Sequence, residues 1–358
     1  MPSDSTLSPP PARWRAPLAL AAWTLGFTLT AWLAGVCFPP LELPSTVREK
    51  LAHLAAHGDD YDAIFVGSSR IQNHLMPALF DRLAAAGGKP VRSFNAGVSS
   101  MHTPEDGWYL EQILAQKHAR LRWVFLEIDF FDPGLQDGQA GTQRGVPWHD
   151  WTRFRQLCRR LAVMTTNLST RDQIADFFER QRDFIDHLAT FGQRQTQLGR
   201  GAQLFDRWRF AETPEPMHWE NLGENGDGFV PARTAHAGEE KIPARLASVL
   251  AARKKEPPAP STADRVSQAV LSEAIAQIRR AGAVPILVMP PRTRVFYFVP
   301  SAENARRAAV IDLCQPALFP DLYDARYRVD TSHFTAQGAE IFTRIVATRF
   351  LEIARAAP

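Results

Sequence analysis

Ala63-Ile64-Phe65-Val66-Gly67-Ser68-Ser69-Arg70 is the stretch on which the fold turns. Four apolar residues read as a short buried strand, Gly67-Ser68-Ser69 as a tight turn, and the following segment through Leu79, Phe80 and Leu83 as a helix. The same unit recurs downstream. Residues 91–95 read as a second strand that breaks at Ala96-Gly97, and Thr103-Pro104-Glu105-Asp106 supplies an N-cap, a proline at the first helical position and an acid at the third. The helix that follows is expected to run to about His118. A third strand over 123–128 ends in Asp129-Phe130-Phe131-Asp132-Pro133. This βαβαβ alternation predicts a parallel sheet covered by helices, a flavodoxin-like three-layer α/β/α domain.

The rhythm is lost between 133 and 262. Helical stretches come first, with Ile174, Phe177, Phe178, Ile185 and Leu188 on one face, and then a Gly/Pro-rich segment over 213–260. This is the expected pattern of a largely helical insertion. The α/β pattern resumes with a helix over 263–280, a strand over 284–289 that ends in Pro290-Pro291-Arg292, and a last helix from Ala336 to about Ile353. The α/β domain is thus expected in two parts, 61–132 and 263–358, around the insertion.

Upstream of the first strand, Ser45 or Thr46 caps a short helix stopped by Gly58, inside a juxtamembrane segment spanning 39–60. Before it, residues 16–38 contain no charged side chain and lie between Arg13 and Arg15 on one side and Pro39-Pro40 on the other. Such a stretch spans a bilayer core. The sequence around Gly35-Val36-Cys37 suits neither a cleavage site nor a lipidation site, so a retained anchor is expected. Arg13, Arg15 and the terminal amine, against Arg48 and Lys50 beyond the span, favour residues 1–15 as a cytoplasmic tail and the folded domain outside. That places the protein in a bacterial inner membrane with a periplasmic or extracellular domain.

Composition narrows the function classes. Of 358 residues, 45% are apolar and 22% charged, which excludes a disordered, collagen-like or multi-span chain. The formal charge of +3 is too small an excess to imply nucleic acid as a partner. Cys37, Cys158 and Cys314 lie far apart, and no His/Cys group has metal-ligand spacing. Neither a metal nor another cofactor is expected.

In an open parallel sheet the ligand site lies beyond the carboxyl ends of the strands. Gly67 to Arg70, Asn95 to Gly97, Asp129 to Asp132 and Pro290 to Arg292 converge there, joined by Asp330-Thr331-Ser332-His333 just before the final helix. A serine on a strand-to-helix turn, with an acid and an imidazole delivered late in the chain, is what nucleophilic acyl transfer requires. The hydroxyl is a weak nucleophile until an imidazole takes its proton, and a carboxylate orients that imidazole.

With these residues the chain resembles the SGNH, or GDSL, hydrolase family. Gly67-Ser68-Ser69 stands where that family has its Gly-Asp-Ser turn, Asn95-Ala96-Gly97 where it has its glycine block, and Asp330-Thr331-Ser332-His333-Phe334-Thr335 where it has Asp-x-x-His-x-Thr. The blocks cover about half of the chain, leaving the anchor and the insertion unmatched. The resemblance implies Ser69 as nucleophile, His333 as base, Asp330 as its orienter, and the backbone N–H groups of Ser69 and Gly97 as oxyanion donors. The family's third block, Gly-x-Asn-Asp, is replaced by Asp129-Phe130-Phe131-Asp132, which has no Asn. One lost donor typically costs ~100 to 1000-fold in turnover, and Asn95 is the nearest replacement in sequence.

Other residues keep two readings. Arg70, Asp129 and Arg292 flank the site and either bind substrate or serve one another as structural ion pairs. Trp148, Trp151, Trp208 and Trp219 form either a sugar-stacking face or core. His74 and His102 are the only other histidines near the motifs. Two functions follow. The first is a membrane-anchored esterase or O-acyltransferase; the resemblance implies acylated envelope polysaccharide or an acyl donor as substrate and a membrane-bound acyltransferase as a further partner. The second is a catalytically weak SGNH-like domain that serves as a carbohydrate-binding or partner subunit of an envelope assembly.

Overall fold

The computed structural model describes residues 12–38, 41–129, 131, 134–135, 139–163, 170–198, 200, 219–232, 262–292 and 298–356, with short stretches at 243–244, 247–248 and 251. Helix α1 (Ala12–Cys37) is followed by α2 (Ser45–His57), and then β1 (Ala63–Val66) leads into the one-turn helix α3 (Ser69–Gln72) and α4 (Pro77–Ala86). Strand β2 (Ser93–Asn95), helix α5 (Glu105–Ala115) and strand β3 (Trp123–Glu127) complete the first half. The insertion contributes α6 (Gly145–Trp148), α7 (Trp151–Leu161) and α8 (Thr170–Thr196). The second half consists of α9 (Thr262–Arg280), β4 (Val284–Met289), α10 (Ala302–Arg307), β5 (Ala309–Asp312) and α11 (Ala336–Ala356).

The protein is an α/β fold. Its five strands are all parallel and lie in the order β2-β1-β3-β4-β5, with Ile64 opposite Phe94 on one side and Val124 on the other. Side chains alternate across each strand. Ile64, Val66, Leu287 and Met289 pack with Tyr109 and Ile113 of α5 and Leu271 and Ile275 of α9, whereas Ala63, Phe65, Ile286 and Val288 pack with Phe80 of α4 and Phe342 and Phe350 of α11. Every residue of β1 is buried, as a strand covered on both faces requires.

Strand β5 and helix α10 were not expected from sequence. Only Val310 and Ile311 mark the strand, which is four residues long, next to a helix of six. Both fall below the length at which periodicity separates strand from loop. The second and third strands are shorter than expected, at Ser93–Asn95 and Trp123–Glu127, and α5 stops at Ala115.

Helix α1 carries the 23-residue span Arg15–Cys37, which is long and apolar enough to cross a membrane and has no part buried within the protein. Its 26 residues extend about 39 Å at 1.5 Å each, against roughly 30 Å of bilayer hydrocarbon. In α8, His187 and Thr190 turn inward, while Ile174, Phe177, Phe178, Ile185 and Leu188 are 46–66% exposed. Trp148 is buried against His149, and Trp151 is exposed. Trp208 and most of the Gly/Pro-rich segment lie outside the described residues, as do Phe130 and Asp132.

One part of that segment is described, and it borders the sheet. A one-turn 3-10 helix at Trp219–Asn221 leads into a strap that runs along the outer edge of β2, where Asp227 C=O accepts from Asn95 N–H at 2.8 Å. The strap continues to the nucleophile helix: Val230 N–H donates to Gln72 C=O at 3.1 Å, and Asn73 Nδ2 donates to Val230 C=O at 2.6 Å. Gly228 has a φ of +86°, and a Cβ there would lie 2.0 Å from Asn95 O, so both conformation and space require glycine.

Candidate active site

The strand order reverses between β1 and β3, and the candidate residues stand at the carboxyl ends on either side of that reversal. At the end of β1 the chain turns through Gly67, where a Cβ would lie 2.6 Å from Glu127 Cβ and Oε2. The absent side chain lets Glu127, the last residue of β3, reach the turn. Its Oε2 accepts from both Ser68 N–H and Ser68 Oγ–H, each at 2.8 Å. Ser68 Oγ in turn accepts from Arg70 N–H at 3.2 Å and so caps α3. Ser69, the first residue of that turn of helix, is left facing the site.

Ser69 meets the late motif. Its Oγ is 2.8 Å from His333 Nε2, and His333 Nδ1 is 2.7 Å from Asp330 Oδ2. With the ring proton on Nδ1 and donated to Asp330, Nε2 is free to accept the serine proton. Asp330 Oδ1 also accepts from Ser332 N–H at 2.5 Å and His333 N–H at 2.8 Å. Partial burial pushes the Asp330 carboxyl up, but the bonds from His333 and from these two backbone N–H groups prevail and hold it at about 2. The acid is therefore ionised wherever the imidazole is needed as a base.

The loop that carries His333 is fixed from below. Phe334 N–H donates to His74 Nε2 at 3.1 Å, and His74 C=O accepts from Thr343 Oγ1 at 3.0 Å. His74 is fully buried, 4.5 Å from the Phe334 ring and 6.0 Å from His333. Burial, with the charges of His333 and Arg328, keeps it well below the ordinary imidazole range and hence neutral. Its sequence position beside the nucleophile turn was the only signal of this role.

Arg70, Asp129 and Arg292 come together with Glu127. Arg70 Nη2 lies 2.7 Å from Glu127 Oε1 and 3.0 Å from Asp129 Oδ2, and Arg292 Nη1 lies 2.5 Å from Asp129 Oδ2. Both guanidinium groups are engaged by carboxylates, and all but Asp129 are nearly enclosed. Two cations and two anions leave the cluster balanced, which favours the structural reading of these residues. Glu127 went unrecognised in the sequence, although an acid inside the apolar run Val124-Phe125-Leu126-Glu127-Ile128 is a signal of a buried partner.

Two expected oxyanion donors require correction. Asn95 is fully buried, and its Nδ2 donates to Ile71 C=O at 2.8 Å and Leu75 C=O at 2.7 Å, so both amide protons are spent beneath the nucleophile helix. Its Oδ1 accepts the single N–H of Gly97 at 2.9 Å, which withdraws that donor as well. The glycine has a packing reason instead, since a Cβ at Gly97 would lie 2.4 Å from Gln72 N. Ser69 N–H, at the start of α3, is the expected backbone donor that remains. Among the described residues no group of three His, Cys, Asp or Glu could hold a metal ion, and Cys37, Cys158 and Cys314 are unpaired thiols.

No family model matches the sequence and no curated protein matches it significantly, which leaves the geometry of these side chains to carry the assignment of function.

Proposed function

We propose that this protein is a membrane-anchored, SGNH-like serine esterase or O-acyltransferase acting on acyl esters of a cell-envelope polysaccharide. The observation that carries the proposal is the continuous chain from Ser69 Oγ through His333 to Asp330, with contacts of 2.8 and 2.7 Å. In the proposed reaction Ser69 Oγ attacks the ester carbonyl as its proton passes to His333 Nε2, and Asp330 stabilises the imidazolium. The imidazolium returns that proton to the departing alcohol, leaving an acyl-Ser69 ester. Water or a sugar hydroxyl then attacks the acyl carbon, gives its proton to His333, and releases Ser69. The strand order 2-1-3-4-5 supports a flavodoxin-like assignment of the fold. The basic residues before the apolar span support a domain outside the inner membrane, within reach of an envelope polymer, an acyl donor and a membrane-bound acyltransferase partner.

A second function, a weakly catalytic carbohydrate-binding or partner subunit, draws support from the oxyanion side. With Gly97 N–H and the Asn95 amide both committed, little more than Ser69 N–H is left to stabilise a tetrahedral oxyanion. Labelling of the detergent-solubilised protein by a fluorophosphonate separates the two. Stoichiometric labelling of Ser69, abolished in Ser69→Ala, is the outcome expected of the enzyme; an unlabelled wild-type protein favours the binding subunit.

A further inference from the structure

Lys50 belongs to α2, the first helix after the apolar span, and its ammonium group is enclosed in the protein. Nζ donates to Asn95 C=O at 2.9 Å, Gly97 C=O at 2.7 Å and Gly228 C=O at 2.8 Å. An ammonium has three protons and no acceptor, so these three carbonyls take its whole bonding capacity. A lysine so far from water costs the fold unless its partners are fixed, and here the partners come from three separate segments.

All three segments converge on the residues just behind Ser69. The Asn95–Gly97 turn carries the Asn95 amide to Ile71 C=O and Leu75 C=O, and Gly97 lies against Gln72 N. The strap that contains Gly228 bonds Gln72 C=O through Val230 N–H and accepts from Asn73 Nδ2. Helix α2 also grips the strap directly, through Thr46 Oγ1 on Asn221 Oδ1 at 3.0 Å and Asn221 Nδ2 on Glu49 Oε2 at 2.7 Å. Lys50 is the single side chain bonded to the turn and the strap together, and α3 rests on both.

We propose that Lys50 is a positioning residue: from the helix next to the membrane span it locks the glycine turn and the strap against α3, so that the placement of Ser69 opposite His333 depends on how α2 is seated. This rests on the assignment of Ser69 as nucleophile. It makes the juxtamembrane helix part of the catalytic support, where an ordinary tether would leave the site indifferent to it. A neutral side chain of similar length fills the space but leaves three buried carbonyls unpaired, and the turn is then free to shift away from Gln72.

The test uses the full-length protein in nonionic detergent with two readouts, the second-order rate of fluorophosphonate labelling and amide hydrogen exchange. Lys50→Met is expected to label at least ten-fold more slowly while still melting cooperatively, with faster exchange confined to residues 71–73, 95–98 and 228–230. Lys50→Gln retains donors for some of the carbonyls and is expected to fall between wild type and Lys50→Met; it decides the matter if the Met variant does not fold. Labelling within two-fold of wild type in a folded variant overturns the proposal, as does a rise in exchange spread over the whole domain. A wild-type protein that does not label overturns the serine-esterase assignment, and with it the catalytic role of Lys50. The exchange measurement then reports separately whether Lys50 holds the turn.

Discussion

Lys50 gives the stability of this protein an unusual dependence on pH. Burial draws its ammonium down from an ordinary value of 10.5 to about 7, with the charge of Asp227 acting in the opposite direction. Between those two values the unfolded chain holds the proton and the folded chain has released it. Stability must therefore rise with pH across that window, by up to ~1.4 kcal/mol per pH unit and about 5 kcal/mol in all. Lys50→Met lacks this contribution, and subtracting its curve from that of wild type cancels the other titrating groups. From about pH 7.5 to 9.5 the wild-type protein should gain roughly 2 to 3 kcal/mol over the variant. At 2–4 °C per kcal/mol this is a relative rise of roughly 5 to 10 °C in the melting midpoint. The assay is thermal denaturation of both full-length proteins in nonionic detergent across that range. Parallel curves would show that the three carbonyls and Asp227 keep Lys50 charged in the fold, and the reasoning from burial would be refuted.

Other outcomes follow from the site. Ser69→Ala and His333→Ala should each abolish fluorophosphonate labelling while shifting stability by no more than about 1 kcal/mol, because the two act as one unit and neither supports the core; labelling that survives in either variant assigns the nucleophile or base elsewhere. Asp330→Asn should slow turnover of an acyl ester by about 10⁴-fold with the fold intact, since the amide favours the wrong imidazole tautomer; full activity would mean that another acid orients His333. Asn95→Ala strands Ile71 C=O, Leu75 C=O and Gly97 N–H in the interior, at about 1–3 kcal/mol each, so its main effect should be a large loss of stability seen by denaturation. A variant that melts like wild type but reacts slowly would restore Asn95 to the oxyanion hole. A reporter fused after Pro358 that needs export for activity should be active; activity only of a cytoplasmic reporter would reverse the orientation proposed for α1.

Much of this architecture was legible because it depends on short-range signals. β1 announces itself by four apolar residues that run into Gly67, and β4 was read at its full extent because six residues stand between a helix and Pro290-Pro291. The triad could be placed because Ser69 closes a strand and Asp330 and His333 share one turn before α11. What escaped was long-range. Whether the Asn95 amide points into the site or under α3 depends on carbonyls more than 20 residues away in sequence. Lys50 looked like one of two basic residues flanking the span, yet Val47, Lys50 and Leu54 share the inward face of α2. A lysine at an apolar helical position was the available clue. Glu127 was hidden likewise, as an acid within a strand whose partner, Ser68, was read only as part of a turn.

The strap along β2 bears on what may be removed from this chain. An open sheet ends in strands whose outer N–H and C=O groups are a template for other chains, and proteins that leave them bare are prone to edge-to-edge aggregation. Here the Asn95 edge is occupied by Asp227, from a segment that sequence pattern assigns to the insertion. Excising 133–262 as a dispensable block would uncover that edge and take away one of the three carbonyls that solvate Lys50. A shortened protein that retains α6, α7 and α8 but not 219–230 should be insoluble, whereas trimming that spares 219–230 has no such consequence for the sheet. The insertion has thus become the domain's own guard against self-association.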